Sequence, residues 1–224
     1  MNVGAVTDSR LSATSSTSAW VKFLRNYGPI PTNDNIYDES IQRALKRHKI
    51  KPITLRAQFL EFLLTAFKSD KPVSQIITRT AGDGKTYHCR EVWSALGGDE
   101  AIWNKGEKIQ RIALGPRTLV VVKDLGELKD EEGAALIEAF AADVSSIDPH
   151  TVYLLAANHG QLLEKLKTAP DTAEVRRLTS IVEDLLVAGR TADSGIRLNL
   201  SDLSRAPAAQ ITVARGDRAL SSTA

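Results

Sequence analysis

Residues 80–86 read Thr80-Ala81-Gly82-Asp83-Gly84-Lys85-Thr86, a glycine-rich stretch that ends in a lysine and a hydroxyl side chain. A β-rich run at Val73–Ile77 precedes the stretch, and a helical pattern from Lys85 to Leu96 follows it. Glycines let successive backbone N–H groups approach an anion closely and point at it together. The first turn of the helix adds the positive end of its dipole. This turn between a strand and a helix therefore predicts a phosphate-binding loop.

The lysine and the threonine give the loop its chemistry. We expect Lys85 to pair with the β- and γ-phosphates of ATP, and the Thr86 hydroxyl to coordinate Mg²⁺. We predict that the nucleotide contacts the whole run and the residue after it: Thr80, Ala81, Gly82, Asp83, Gly84, Lys85, Thr86 and Tyr87. The P-loop signature also asks for a glycine five residues before Gly84, where this chain has Arg79. A Cβ at that turn would strain it, and a strand–helix turn without a ligand is the alternative.

Two acidic residues follow the continuous apolar run Thr118–Val122, which is typical of a buried parallel strand. A P-loop needs an acidic residue across the sheet to hold hydrated Mg²⁺, and Asp124 is in place for that task. Glu127 is the candidate for orienting or deprotonating an attacking water. Its alternative is a polar loop residue.

A polar amide closes the next buried run, Val152–Ala156. Asn158 stands where this strand ends, after Lys85 and Asp124 in the chain. Taken alone, this position also suits a turn residue in front of His159 and Gly160.

Strand and helix patterns alternate through the chain, which predicts an α/β fold with a three-layer parallel sheet, covered by helices on both faces. We expect strands near 73–77, 109–114, 118–122, 152–156 and 196–200, and helices near 55–68, 85–96, 131–142, 161–167 and 172–188. The composition divides the chain into a Ser/Thr-rich disordered lead (1–18), an N-terminal helical segment (19–70), a P-loop NTPase core (71–205) and a polar tail (206–224).

The composition limits the cellular location and the classes of partner that we expect. The chain has 224 residues, 42% of them hydrophobic and 25% charged, with a net charge of +2. No overall field points to nucleic acid or to a membrane, and no apolar run reaches the ~20 residues of a bilayer span. Cys89 is the only cysteine, so an intrachain disulfide is excluded, and the histidines lack metal-ligand spacing. We expect a cytoplasmic protein without a membrane partner.

Together, Thr80–Thr86, Asp124 and Asn158 resemble the AAA+ and STAND-like, or additional-strand, branch of P-loop ATPases, over roughly residues 34 to 200. The resemblance implies that Asn158 is the sensor 1 residue, whose side chain can hydrogen-bond the attacking water or the γ-phosphate. It also implies that a segment before the first strand helps to seat the adenine, which makes Ile36 and Tyr37 candidate contacts. A helix cap and a core staple are the alternative for these two residues. A helical lid and a sensor 2 arginine, both expected in this branch, are not evident after Leu200.

Three further segments are similar to bacterial phage-defence ATPases, in particular to the ATPase component of phosphorothioate-dependent DNA restriction systems. They are Tyr27-Gly28-Pro29, Asn35-Ile36-Tyr37-Asp38-Glu39 and Ala81-Gly82-Asp83-Gly84-Lys85-Thr86-Tyr87. That similarity implies a larger assembly, with protein partners or self-assembly, that reaches DNA through its partners.

The predicted function is a switch or motor module that binds Mg-ATP and hydrolyses it. Two alternatives stay open. A degenerate P-loop scaffold would have little or no hydrolysis because of Arg79. A small-molecule kinase would suit the chain length, but an arginine-rich lid between the strands is not evident, and Asn158 suits hydrolysis better.

Overall fold

The structure, a computed structural model, describes residues 18–24, 38–50, 58–78, 84–189 and 195–203. Contacts divide the chain into two compact units, Met1–Ile53 and Thr54–Ala224. In the first unit, helices α1 (Ala19–Leu24) and α2 (Asp38–Arg47) contribute to a small apolar cluster of Phe23, Leu45 and Ile50. Among the described helices of the chain, none has both the length and the apolar character that a bilayer span requires.

The described part of the second unit contains five strands and six α-helices. In chain order they are α3 (Gln58–Lys68), β1 (Ser74–Thr78), α4 (Lys85–Ala95), α5 (Glu100–Trp103), β2 (Ile109–Leu114), β3 (Arg117–Val122), α6 (Asp130–Ser145), β4 (Thr151–Ala157), α7 (His159–Thr168), α8 (Ala173–Ala188) and β5 (Leu198–Asp202). A 3₁₀ turn at Leu125–Glu127 follows β3. The predicted strands and helices are confirmed to within a few residues, and α5 and the 3₁₀ turn are additions.

The strands form one sheet in the order β2-β3-β4-β1-β5. Four of them run parallel, whereas β2 pairs antiparallel with β3. The prediction of a parallel sheet is therefore wrong for β2. Only Gly115 and Pro116 connect β2 to β3, and a connection this short permits a hairpin but not a parallel crossover. Gly115 adopts φ 59°, which suits such a tight turn.

Alternate residues of the central strands enter two separate cores. Ile76 and Val120 belong to the core that α6, α7 and α8 cover. Ile77 and Leu119 belong to the core that α3, α4 and α5 cover. Buried apolar side chains on both faces explain the continuous apolar runs. The predicted α/β class, with helices on both faces of the sheet, is confirmed.

The connection after β1 leads toward the β2 edge of the sheet, and the connection after β4 leads toward the β5 edge. The chain passes from β1 through α4 and α5 to β2 and β3 along one face, and from β4 through α7 and α8 to β5 along the other. Because β1 and β4 are neighbours, the carboxyl ends of these two strands bound the crevice where ligands bind in open α/β sheets. The described ends of this crevice are Thr78 and Gly84 on one side and Asn158 on the other.

Candidate functional site

The structure describes only part of the predicted site. Gly84, Lys85, Thr86, Tyr87, Asp124, Glu127 and Asn158 lie within the described residues. Ile36, Tyr37, Arg79, Thr80, Ala81, Gly82 and Asp83 lie outside them. The predictions for this second group stay predictions.

The backbone conformation of Gly84 determines how the chain enters α4. This residue is the N-cap of the helix, in the left-handed conformation with φ 80° and ψ 15°. A Cβ on Gly84 would meet nothing within 4 Å, so its conformation rather than lack of space favours glycine. The first bond of the helix joins His88 N–H to the Gly84 carbonyl at 3.1 Å. As in any α-helix, the N–H groups of the first turn precede that bond and point out of the N-terminal end of the helix.

The Lys85 ammonium crosses from the start of α4 to the end of β4. Its Nζ donates a hydrogen bond to Oδ1 of Asn158 at 2.8 Å, and Lys85 is only 7% exposed. Lysine has three donors and no acceptor, so the Asn158 atom that faces it is the amide oxygen. Two residues predicted from separate motifs, 73 positions apart, are thus in direct contact.

Asn158 does not do what an asparagine at its position ordinarily does. It is the N-cap of α7 but makes no side-chain bond to the helix backbone. An asparagine cap normally stabilises a helix by about 0.5–2 kcal/mol relative to alanine. Instead the side chain spans Lys85 on one side and Gln161 on the other, where Nδ2 donates to Oε1 at 2.9 Å.

Thr86 and Asp124 lie where α4 approaches the end of β3. The Thr86 hydroxyl donates a weak hydrogen bond of 3.5 Å to the carbonyl of Lys123, the residue just before Asp124. Oδ1 of Asp124 accepts a hydrogen bond from Gly126 N–H at 2.9 Å and so caps the 3₁₀ turn. That bond fixes the carboxylate direction through one of its two oxygens.

The buried thiol of Cys89 is influenced by both charged side chains. The pKa of Cys89 is raised to about 12, mainly by burial and to a smaller extent by the Asp124 carboxylate, while the Lys85 ammonium opposes the increase. Cys89 lies on α4, one helical turn after Lys85. Since each of these charges changes the pKa of the same thiol, Lys85 and Asp124 both lie close to the start of α4.

Glu127 has a partner that the sequence does not suggest. Its carboxylate forms an ion pair with Lys108, which directly precedes β2. Both side chains are partly exposed, and the hairpin of β2 and β3 brings them together. The pair holds Glu127 on the β2 side of the 3₁₀ turn.

Tyr87 belongs to a series of rings between α3 and α4. Its ring lies edge-on to His88 at 5.4 Å between centroids, and His88 lies edge-on to Phe59 at 5.1 Å. The Arg90 guanidinium stands over the Tyr87 ring at 5.6 Å. Burial lowers the pKa of His88, which keeps its imidazole neutral at physiological pH. The rings fix the Tyr87 side chain next to Thr86.

Three polar groups at this edge were not predicted. The Thr78 hydroxyl, at the end of β1, is buried and has no hydrogen-bond partner among the described residues. Nε2 of His159 stands 3.5 Å from Oδ2 of Asp202, a contact that joins the start of α7 to the end of β5. Gln161 is the third. The spacing of Asn158 and Gln161 resembles a capping box, a signal that could have drawn attention to the pair.

The donor set fits Mg-ATP. A hydroxyl and a carboxylate are the hard oxygen ligands that Mg²⁺ favours, usually with retained waters. Within the described residues, no group of three or more His, Cys, Asp or Glu side chains is placed to bind a metal directly. Such a group is unnecessary where substrate phosphates and one or two side chains supply the ligands. The Lys85 ammonium and the N–H groups of the first turn of α4 are suitable donors for phosphate.

Comparison of the chain with known protein families, with curated proteins and with solved structures found no match.

Proposed function

We propose that this protein binds Mg-ATP in the crevice between the carboxyl ends of β1 and β4 and hydrolyses its γ-phosphate. The observation that carries the proposal is the 2.8 Å contact between Lys85 Nζ and Asn158 Oδ1. Asn158 bonds to a buried ammonium and does not cap its own helix. Helix stability would favour the cap, so a phosphate site explains this arrangement better.

The strand order supports the finer assignment to the additional-strand branch of P-loop ATPases. β4 lies between β1, which leads into the glycine-rich loop, and β3, which leads to Asp124. A strand inserted between these two is the feature that gives the branch its name. Continuing the register of β3 with β4 brings Asp124 level with Ala157, one residue before Asn158.

Each described residue has a task in this proposal. Lys85 donates to the β- and γ-phosphate oxygens and takes up charge that develops as the bond to the leaving group breaks. Thr86 and Asp124 would hold Mg²⁺, which, when bound, neutralises charge between the β- and γ-phosphates. Asn158 uses its amide to hold the attacking water in line. Glu127 would accept the proton of that water once it has left Lys108.

The first test is a titration of the purified chain with a fluorescent ATP analogue and Mg²⁺. Lys85 makes a charge-assisted contact in the proposal, so Lys85→Met should weaken affinity by about tenfold or more while keeping the length of the apolar stem. The matched control is Lys68→Met, an exposed lysine at the end of α3. A melting curve checks that each variant is folded.

The outcomes separate the alternatives. Loss of affinity in Lys85→Met but not in Lys68→Met supports the proposal, and release of inorganic phosphate from ATP then tests hydrolysis. Transfer of the phosphoryl group to a small acceptor instead of water would favour the kinase. Absence of binding by the wild type would overturn the proposal and favour the scaffold, which restoration of binding by Arg79→Gly would support.

The assembly is a separate proposal, which rests on the resemblance alone. We propose that the ATPase works with protein partners or with further copies of itself, and reaches DNA through them in antiphage defence. Light scattering of the purified chain with and without Mg-ATP tests the self-assembly part. A monomer under both conditions would exclude it at the concentration used.

A further inference from the structure

The side chain of Gln161 lies between Asn158 and the turn that holds Asp124. On one side Oε1 accepts the hydrogen bond from Asn158 Nδ2 at 2.9 Å. On the other side the amide lies over Gly126, where an added Cβ would stand 2.2–2.3 Å from the Gln161 Cδ, Nε2 and Oε1 atoms. Gly126 is the residue whose N–H binds the Asp124 carboxylate. One amide therefore touches both the predicted sensor and the turn of the predicted magnesium ligand.

The charge of Lys85 determines how both amides are turned. Because the ammonium can only donate, it requires the oxygen of Asn158 to face it. The Asn158 NH₂ group then faces Gln161, which must present its own oxygen in return. The Lys85 ammonium thus determines which way the Asn158 amide is turned, and the Asn158 amide determines which way the Gln161 amide is turned.

The Asn158 side chain has a second favourable orientation, in which it would cap α7. As the N-cap of α7, Asn158 could turn its side chain back to the first N–H groups of the helix. The bond to Gln161 opposes that turn by anchoring Nδ2 at the third helical residue. If Gln161 could not accept this bond, capping of α7 would compete directly with the contact to Lys85.

We propose that Gln161 is a positioning residue for the ATPase: it holds the Asn158 amide toward Lys85 and couples it to the Asp124 turn through Gly126. The inference rests on the proposed function for its catalytic consequence. Gln161 acts through Asn158, so its loss should affect turnover more than nucleotide binding. Helix stability should change little, because a released Asn158 gains the cap that it now forgoes.

The kinetic test compares three variants on α7. Gln161→Leu removes the acceptor and keeps bulk over Gly126, and Gln161→Glu keeps an acceptor oxygen. Glu164→Leu introduces the same leucine at an exposed position of the helix. We expect Gln161→Leu to lower kcat for phosphate release by about 10- to 100-fold and to leave the Kd for Mg-ADP within about twofold. Gln161→Glu should keep most of kcat, and Glu164→Leu should behave as the wild type. Equal kcat in Gln161→Leu and wild type would overturn the inference.

A second readout does not require nucleotide. In the nucleotide-free protein, the side-chain NH₂ signals of Asn158, assigned by their loss in Asn158→Asp, report whether the amide is held. Their exchange with solvent should be about tenfold faster in Gln161→Leu than in wild type, and unchanged in Glu164→Leu. If Gln161→Leu fails to fold, Gln161→Ala is measured in the same way, because it also removes the acceptor.

The two readouts distinguish the two proposals. If the wild type does not bind Mg-ATP, the proposed function is overturned, and the NH₂ exchange alone decides whether Gln161 positions Asn158. If the wild type hydrolyses ATP but neither exchange nor kcat responds to Gln161→Leu, the proposed function stands and the positioning role is overturned.

Discussion

The Lys85 ammonium donates a hydrogen bond to Oδ1 of Asn158 at 2.8 Å and thereby joins the start of α4 to the end of β4. The helices α4 and α7 cover opposite faces of the sheet, so the bond passes from one face to the other at the carboxyl ends of β1 and β4. It determines the orientation of the Asn158 amide and, through it, that of Gln161. The two side chains should therefore be energetically coupled.

We predict that Lys85 and Asn158 are coupled in stability. Asn158→Leu leaves a buried ammonium without this acceptor and should destabilise the fold by about 1–3 kcal/mol. In the Lys85→Met background the same change should cost much less, because the charge is gone. Urea unfolding of the wild type, both single variants and the double variant gives the coupling energy. Effects that add to within about 0.5 kcal/mol would show that the bond contributes nothing.

We predict that Glu127 matters for turnover and that its ion pair with Lys108 does not. Glu127→Gln should lower kcat for ATP hydrolysis by about 10²-fold or more if the carboxylate accepts the proton of water. Lys108→Ala removes a partly exposed pair, which is worth about 0–1 kcal/mol, and should leave kcat near the wild-type value. Steady-state phosphate release from both variants makes the comparison. A Glu127→Gln variant as active as wild type would assign the residue to the loop surface.

Much of this arrangement could be read from the sequence, because it depends on local patterns. The apolar runs at Thr118–Val122 and Val152–Ala156 predict buried strands, and polar residues directly after them must share an edge if the strands are parallel. Asp124 was predicted as the acidic residue that a P-loop needs after such a strand, and Asn158 from the resemblance to additional-strand ATPases. The antiparallel β2 was also available, since a two-residue connection at Gly115-Pro116 excludes a crossover.

The contacts that were missed join residues far apart in the chain. The partner of Glu127 is 19 residues earlier and depends on the hairpin register. The pair of His159 and Asp202 depends on β5 lying on the far side of β1. Single-sequence patterns contain no record of such pairings. Gln161 was missed for another reason: its spacing from Asn158 suits helix capping, whereas in the structure the two amides bond to each other and Asn158 bonds to Lys85.

We predict that the native Cys89 thiol stays unreactive up to pH 9, where an exposed cysteine is already about half ionised. Burial raises the pKa of Cys89 to about 12 in the folded protein, so the thiolate is scarce at pH 9. Alkylation by iodoacetamide should be slow between pH 7 and 9 in the native protein and fast in urea. No other thiol in the chain complicates the measurement. Rapid native alkylation at pH 8.5 would contradict the burial.

The same shift predicts a loss of stability at high pH. The folded pKa lies above the unfolded one, so the contribution of Cys89 is fully present below the unfolded pKa of about 9 and is lost as the pH rises toward about 12. Cys89→Val removes this term, and its stability relative to wild type should improve as the pH passes from 8 to 10. A constant difference between the two proteins over that range would count against the shift.

We predict that Gly126→Ala damages turnover while a second glycine change beside the site does not. The new Cβ would stand 2.2 Å from Gln161 Cδ, so the Gln161 side chain must shift, and we expect the shift to break its bond to Asn158. A flexible side chain moves at little cost, and we expect a stability loss of about 1 kcal/mol or less. The kcat for phosphate release should nevertheless fall as far as in Gln161→Leu, because both changes remove the same bond.

Gly160→Ala is the matched control. Gly160 lies on α7 between Asn158 and Gln161, and an added Cβ meets nothing within 4 Å. In a helix this change should stabilise the protein by about 0.5–1 kcal/mol and leave kcat unchanged. The double variant Gly126→Ala/Gln161→Ala should be no slower than Gln161→Ala alone, since the displaced amide is already absent. If Gly126→Ala still slows turnover in that background, the turn acts directly on Asp124 and not through Gln161.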